Sequence, residues 1–180
     1  MALSDEELLL SFKNAENPAK AFEQIVKKHQ RQIYWLVRRM VVGHDDANDI
    51  VQEVFLKVWK ALPDFRGDSG LFTWLYRIAS NEALSFLKKK KNREMLALSE
   101  AEAYLESYQK TENFLNENEI EIKIQQAINQ LPEKQRLVFI LRYYQEMKYE
   151  EMANVLDTSV GALKTSYHHA AKKVEKYITS

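Results

Sequence analysis

Along most of this chain apolar residues recur in steps of three and four, the spacing that lines one face of an α-helix. Residues 18–42 carry Phe22, Ile25, Val26, Ile33, Leu36 and Val37 at that spacing, and Pro18 suits the first turn of a helix that Gly43 then stops. Before it, Ser4 and Glu7 have the spacing of a capping box, which predicts a short helix starting at Asp5. A third helix follows, capped by Asp45 or Asp46, with Ile50, Val51, Val54, Phe55 and Val58 as its apolar stripe and its end before Pro63. A fourth runs from about Leu71 to the lysines at 88–91, with Leu75, Ile78, Ala79 and Phe86 toward the core.

Between 93 and 121 the periodicity weakens and Glu and Asn accumulate, so this stretch reads as an extended or partly helical linker. Helical pattern returns at Ile122, stops at Leu131, and restarts at Pro132. Tyr149, Met152, Ala153 and Leu156 then make one buried face. Asp157, Thr158 and Ser159 allow only a turn, after which Val160, Leu163, Tyr167, Ala170 and Val174 make the next face. Helix, tight turn, helix is the arrangement of a helix-turn-helix unit.

Composition agrees. With 4 glycines and 3 prolines in 180 residues, turns are too few for a many-stranded sheet protein. The expected fold is therefore all-α, with two small helical domains: an N-terminal bundle at 1–92 and a C-terminal helix-turn-helix domain at 122–180, joined by the linker at 93–121. The formal net charge is zero but unevenly spread: 15 basic against 12 acidic residues in 1–92, 2 against 8 in 93–121, and 9 against 6 in 122–180. Two mildly basic ends around an acidic middle suit modules that each meet a polyanion. The chain has no cysteine, which excludes disulfides, thiolate zinc sites and cysteine nucleophiles. Its start is acidic where a signal peptide would be basic, and no apolar run approaches the roughly 20 residues of a membrane span. The expectation is a cytoplasmic protein without membrane insertion.

The candidate chemistry is recognition. On the last helix Lys164, Thr165, His168 and Lys172 point away from the apolar stripe, with His169 and Lys173 beside them, and small, hydroxyl and basic side chains suit a major groove and its phosphates. A solvated amphipathic helix would carry similar residues. On the fourth helix Trp74, Arg77, Asn81, Ser85 and Lys88 share a face on which unpaired bases could stack. Trp74 equally fits the bundle core. Asp45, Asp49, Gln52 and Glu53, beside His44, form an acidic face better suited to a basic protein partner than to a metal, since helix starts favour acids anyway. His168 and His169 are adjacent on a helix and point about 100° apart, which disfavours a shared ion. No phosphate loop, nucleophile triad or metal cluster is legible. The chain is expected to be no enzyme and to need no cofactor.

Three segments in order, DDANDIVQEVFLKVWKAL, FRGDSGLFTWLYRIASNEALSFLKKKKN and LPEKQRLVFILRYYQEMKYEEMANVLDTSVGALKTSYHHAAKKVEKY, resemble the bacterial sigma-70 family, in particular its small extracytoplasmic-function (ECF) group. The resemblance implies a promoter-specificity factor with core RNA polymerase and promoter DNA as partners and an anti-sigma factor as regulator. Phe65, Arg66, Gly67 and Ser69 would line a pocket for a flipped base of the minus-ten element, Arg77 and Asn81 would hold its upstream edge, with Trp74 nearby, and Lys88, Lys89, Lys90 and Lys91 would neutralise phosphates. Asp46, Asp49, Gln52 and Glu53 would face the β′ clamp helices. The helix at 133–144, with Val138 and Leu141, would hold the β flap. Lys164, Thr165, His168, His169, Lys172 and Lys173 would read the minus-thirty-five element, and the acidic linker would thread toward the active centre or serve as a tether.

Two departures stand out. Ser166, His169 and Ala171 occupy positions where the family commonly has arginine, implying weaker and less salt-dependent duplex binding. Glu146 stands where glycine is frequent, and a left-handed backbone there would cost about 1 kcal/mol. The alternative reading is a stand-alone helix-turn-helix regulator that never engages polymerase.

Overall fold

A computed structural model describes residues 3–14, 16–96 and 119–180, and these fold into helices and turns with no strand among them. The N-terminal helices are α1 (Asp5–Asn14), α2 (Pro18–Val41), α3 (His44–Ala61) and α4 (Leu71–Leu96), with a 3₁₀ turn at Leu62–Asp64. The C-terminal helices are α5 (Glu119–Asn129), α6 (Glu133–Tyr143), α7 (Tyr149–Leu156) and α8 (Val160–Thr179). Helix thus continues past the lysines to Leu96 and resumes at Glu119, each a few residues into the stretch expected to be linker. The acidic linker itself falls mostly at 97–118, outside the described residues.

Local sequence explains most boundaries. The capping box at α1 forms as expected, Ser4 N–H donating to Glu7 at 2.6 Å and Glu7 N–H to the Ser4 hydroxyl at 3.2 Å. Asn17 caps α2 by accepting from Ala19 N–H, with Pro18 in the first turn. Helix α3 differs from expectation: it begins at His44 with Gly43 as its cap residue, and neither Asp45 nor Asp46 makes the capping bond. The reason lies one residue earlier. Val42, with φ of 66°, turns the chain so sharply that Gly43 N–H reaches Val41 C=O at 2.7 Å, a γ-turn of the strained hand. A β-carbon at Gly43 would lie 3.0 Å from the Asp46 carboxylate, so a side chain there would crowd the first turn of α3.

The buried faces follow the apolar periodicity. Ile25, Ile33, Leu36 and Val37 of α2 meet Val54, Phe55 and Val58 of α3 and Leu71, Leu75 and Ala79 of α4, while Leu8 and Phe12 of α1 close one side. Helix α1 is also tied to α2 by charge: the Asp5 carboxylate accepts from Lys28 at 2.8 Å and lies 2.9 Å from His29 Nε2. Burial pushes that carboxyl up, but the hydrogen bonds and charges of Lys28 and His29 outweigh it and hold it below its usual value. In the C-terminal half all five residues from Leu137 to Leu141 are buried, packed against Leu163, Ala170 and Val174 of α8 and Met152 and Val155 of α7.

The two sets of helices also touch each other, α2 against α6 and α4 against α6 and α7. At the end of α2 the last four carbonyls have no partner within the helix. Arg38 C=O accepts from Val42 N–H at 3.1 Å and Val41 C=O from Gly43 N–H. Arg39 and Met40 carbonyls are met from the far side of the molecule, by Gln125 at 3.3 Å and by the Arg136 guanidinium at 2.8 Å. A bond from a charged donor such as Arg136 is worth about 1.5–3 kcal/mol net.

Glu146 does adopt the left-handed backbone, with φ of 50°, in the turn between α6 and α7. Only glycine takes that conformation without a steric penalty. Replacing it, Glu146→Gly, is expected to raise stability by about 1 kcal/mol, a melting-temperature gain of about 2–4 °C, read by thermal unfolding. An unchanged or lower melting temperature contradicts the strain assigned to this turn.

Candidate nucleic-acid interface

The turn before α4 is built around Gly67, whose φ of 78° no other residue type takes freely. Arg66 and Gly67 are exposed and Ser69 half-buried, whereas Phe65 is buried and its ring packs on Trp74 with centroids 4.8 Å apart. Phe65 therefore supports this turn from beneath, and Trp74, half-buried against the same core, has one face occupied by it. Farther along α4, Asn81, Lys88, Lys89 and Lys91 are exposed. Lys90 differs: it leans back over the Phe86 ring and lies 3.5 Å from the Asp46 carboxylate. Arg77, expected on the same face, donates to the main-chain carbonyl of Asn154 on α7 at 2.5 Å.

On α3 the outward row is Asp49, Gln52 and Glu53, all exposed, with Asp46 half-buried at its start. The row continues into Leu56, 54% exposed, and Trp59, 38% exposed, whose inner edge meets Phe12 and Phe22. Sequence reading missed these two apolar residues. The available signal was their place one helical turn (Leu56) and two turns (Trp59) beyond Gln52 and Glu53, off the buried stripe.

The helix-turn-helix is closed by its own backbone. Asp157 takes the left-handed conformation at the end of α7, Thr158 N–H reaches back to Ala153 C=O, and the Ser159 hydroxyl accepts from Ala162 N–H at 3.2 Å to start α8. From α8 the side chains of Lys164, Thr165, His168, His169, Lys172 and Lys173 all reach the surface. Lys164 lies over the Tyr149 ring at 5.7 Å, Thr165 bonds back to Gly161 C=O, and Lys173 donates to Gln135. On α6 Val138 and Leu141 are buried within the chain, because this short helix sits between α2 and α8. Its exposed large hydrophobic residue is Tyr143, also missed. Among the described residues no group of three or more acidic or imidazole side chains is placed to hold a metal ion, and no helix is long and apolar enough to cross a membrane.

A helix-turn-helix with a basic outer face, joined to a second helical set carrying a lysine row and an acidic row, is the arrangement of a nucleic-acid-binding protein. The family models described as "Sigma-70 region 2" and "Sigma-70, region 4" match residues 25–93 and 121–174. The chain is 34% identical over 165 residues to the RNA polymerase sigma-H factor of Pseudomonas aeruginosa, covering 87% of this chain and 86% of that one. It is 33% identical over 168 residues to the ECF RNA polymerase sigma-E factor of Escherichia coli K12, covering 88% and 87%. The fold is similar to that in the structure of CnrH in complex with the cytosolic domain of CnrY, with a TM-score of 0.70 at 24% identity over 97% of both chains. It is also similar to the sigma factor RpoE of Bartonella quintana in complex with the anti-sigma factor NepR, with a TM-score of 0.67 at 20% identity over 89% of this chain and 98% of that one.

The chain belongs to the sigma-70 family, in its ECF group. It is a promoter-specificity factor that directs transcription initiation, and factors of this kind are not enzymes.

The Ser159 cap sets where α8 begins. Ser159→Ala is expected to cost about 1 kcal/mol of stability, read by denaturant unfolding at constant m-value. A cost near zero contradicts the role given to that hydroxyl.

Proposed function

We propose how the surfaces divide the work. The outer row of α3, Asp46, Asp49, Gln52, Glu53 and Leu56, binds the β′ clamp helices of core RNA polymerase. The turn of Arg66, Gly67 and Ser69, backed by Phe65 and Trp74, takes a flipped base of the minus-ten strand. Arg77 and Asn81 hold its upstream edge, and Lys88, Lys89, Lys90 and Lys91 follow its phosphates. Helix α8 reads the minus-thirty-five duplex through Lys164, Thr165, His168, His169, Lys172 and Lys173. The outward side of α6 meets the β flap, with Val138 and Leu141 supporting it from within. The chain acts in the cytoplasm, performs no chemistry of its own, needs no cofactor, and is restrained by an anti-sigma protein, the kind of partner with which the similar RpoE was crystallised.

One observation carries the reading: Asp49, Gln52, Glu53 and Leu56 stand exposed in a row on a helix whose opposite side, Val54, Phe55 and Val58, is buried. A regulator acting alone on duplex DNA has no use for an acidic and apolar row on its DNA-binding body. In the recognition helix, Ser166, His169 and Ala171 leave fewer cations against phosphate, so upstream binding should fall less steeply with salt than in arginine-rich relatives.

The double reversal Asp49→Lys with Glu53→Lys tests the docking face. Titration with core polymerase should show affinity lower by about tenfold or more, a loss of about 1.4 kcal/mol or more, with the melting temperature of the free chain unchanged. Equal affinity of the variant and the parent contradicts the assignment.

A further inference from the structure

We propose that Tyr149 is a positioning residue for base reading: its ring holds Lys164 so that this lysine recognises a guanine in duplex DNA. The inference rests on the reading above that α8 meets the upstream duplex. From Val160 to Ala170, the first turns of α8, Lys164 is the one lysine or arginine. Residues in the first turns of a recognition helix reach base edges, and a lysine there pairs with guanine O6 and N7. An ammonium on a flexible four-carbon stem discriminates poorly unless the stem is held, because it is as readily drawn to a nearby phosphate.

Tyr149, the first residue of α7, supplies the hold. Its ring is half-buried, and the ammonium of the exposed Lys164 lies 5.7 Å from the ring centre. A ring face attracts a cation without neutralising it and leaves the three N–H donors for a base. Among the described residues Lys164 forms no ion pair that would take its charge. The ring is itself held. It meets Tyr167 of α8 edge to face, with centroids 6.4 Å apart and planes at 73°, and Tyr167 stacks on the buried Phe139 of α6 at 5.6 Å. The Arg142 guanidinium lies 5.0 Å from the Tyr149 ring centre and is anchored by its bond to Met147 C=O at 3.0 Å. Helices α6, α7 and α8 thus share one aromatic cluster, and the packing that builds the helix-turn-helix also aims Lys164.

For the test, core RNA polymerase carrying the full chain is given duplex DNA that holds one of its own start sites and is randomised upstream, and the retained DNA is sequenced. We expect guanine to be enriched at one upstream position, and Lys164→Met to abolish that enrichment. Tyr149→Leu, which keeps an apolar side chain against Tyr167, should lower it on the order of tenfold and leave the other upstream positions unchanged. Tyr149→Phe keeps the ring face and should retain the enrichment. Adding Tyr149→Leu to Lys164→Met should change nothing further, whereas a ring that only supported the fold would weaken every position in both backgrounds. In the free chain the ε-methylene protons of Lys164 should resonate upfield under the ring, in the parent and in Tyr149→Phe. That resonance needs no leucine variant, so it decides the matter even where Tyr149→Leu fails to fold.

Guanine enrichment that survives Lys164→Met or Tyr149→Leu overturns the inference, as do ε-methylene protons at their ordinary position in the parent. Each of these leaves the role of α8 standing. A parent that shows no upstream preference at all would instead sink the reading of α8, and this inference with it.

Discussion

Two carbonyl oxygens at the end of α2 shape the whole molecule. The γ-turn at Val42 brings α3 back against α2 at once, and it does so by diverting Gly43 N–H to Val41, away from Arg39. Arg39 and Met40 then need donors from elsewhere, since a buried carbonyl without a partner costs about 1–3 kcal/mol. Gln125 and Arg136 supply them from the other half of the chain. A sharp corner between two helices of the first half is thereby completed by side chains of the second.

The surfaces proposed to meet DNA and polymerase are what remains outside this arrangement. Helix α3 buries Val54 and Val58 and turns Asp49 and Glu53 outward; α8 buries Leu163, Ala170 and Val174 and turns Lys164, His168 and Lys172 outward. In both, a regular helix with one apolar face leaves its exposed polar residues in a straight row, fixed by packing behind them and needing no special backbone. The unusual backbone sits at the joints, at Val42, Gly67, Glu146 and Asp157. Those positions decide how one row is aimed relative to the next.

Much of this was legible in the sequence where it depended on neighbours three or four residues apart. The capping box of Ser4 and Glu7, Pro18 in the first turn of α2, and the stripe of α8 all formed as the spacing required. The helix-turn-helix and the all-α class followed from the same local patterns, whereas the family came from the resemblance of three ordered segments. What stayed hidden was set by distant partners. Nothing in the sequence around Arg136 and Gln125 says that a carbonyl 96 or 86 residues away lacks a donor. Val138 and Leu141 belong to a run of five buried residues that is apolar all round, and such a run does not reveal how much of it a partner meets. Asp45 and Asp46 looked like caps because their type suits a helix start, but the tight turn before them left Gly43 in that place.

Initiation by reconstituted polymerase measures the central claim most directly. Core RNA polymerase would be mixed with this chain and fragments of genomic DNA from the same bacterium, and the transcript starts sequenced. A promoter-specificity factor predicts starts that depend on the added protein and share two upstream elements at constant spacing. Absence of any protein-dependent start, together with no co-elution with polymerase in gel filtration, would contradict it.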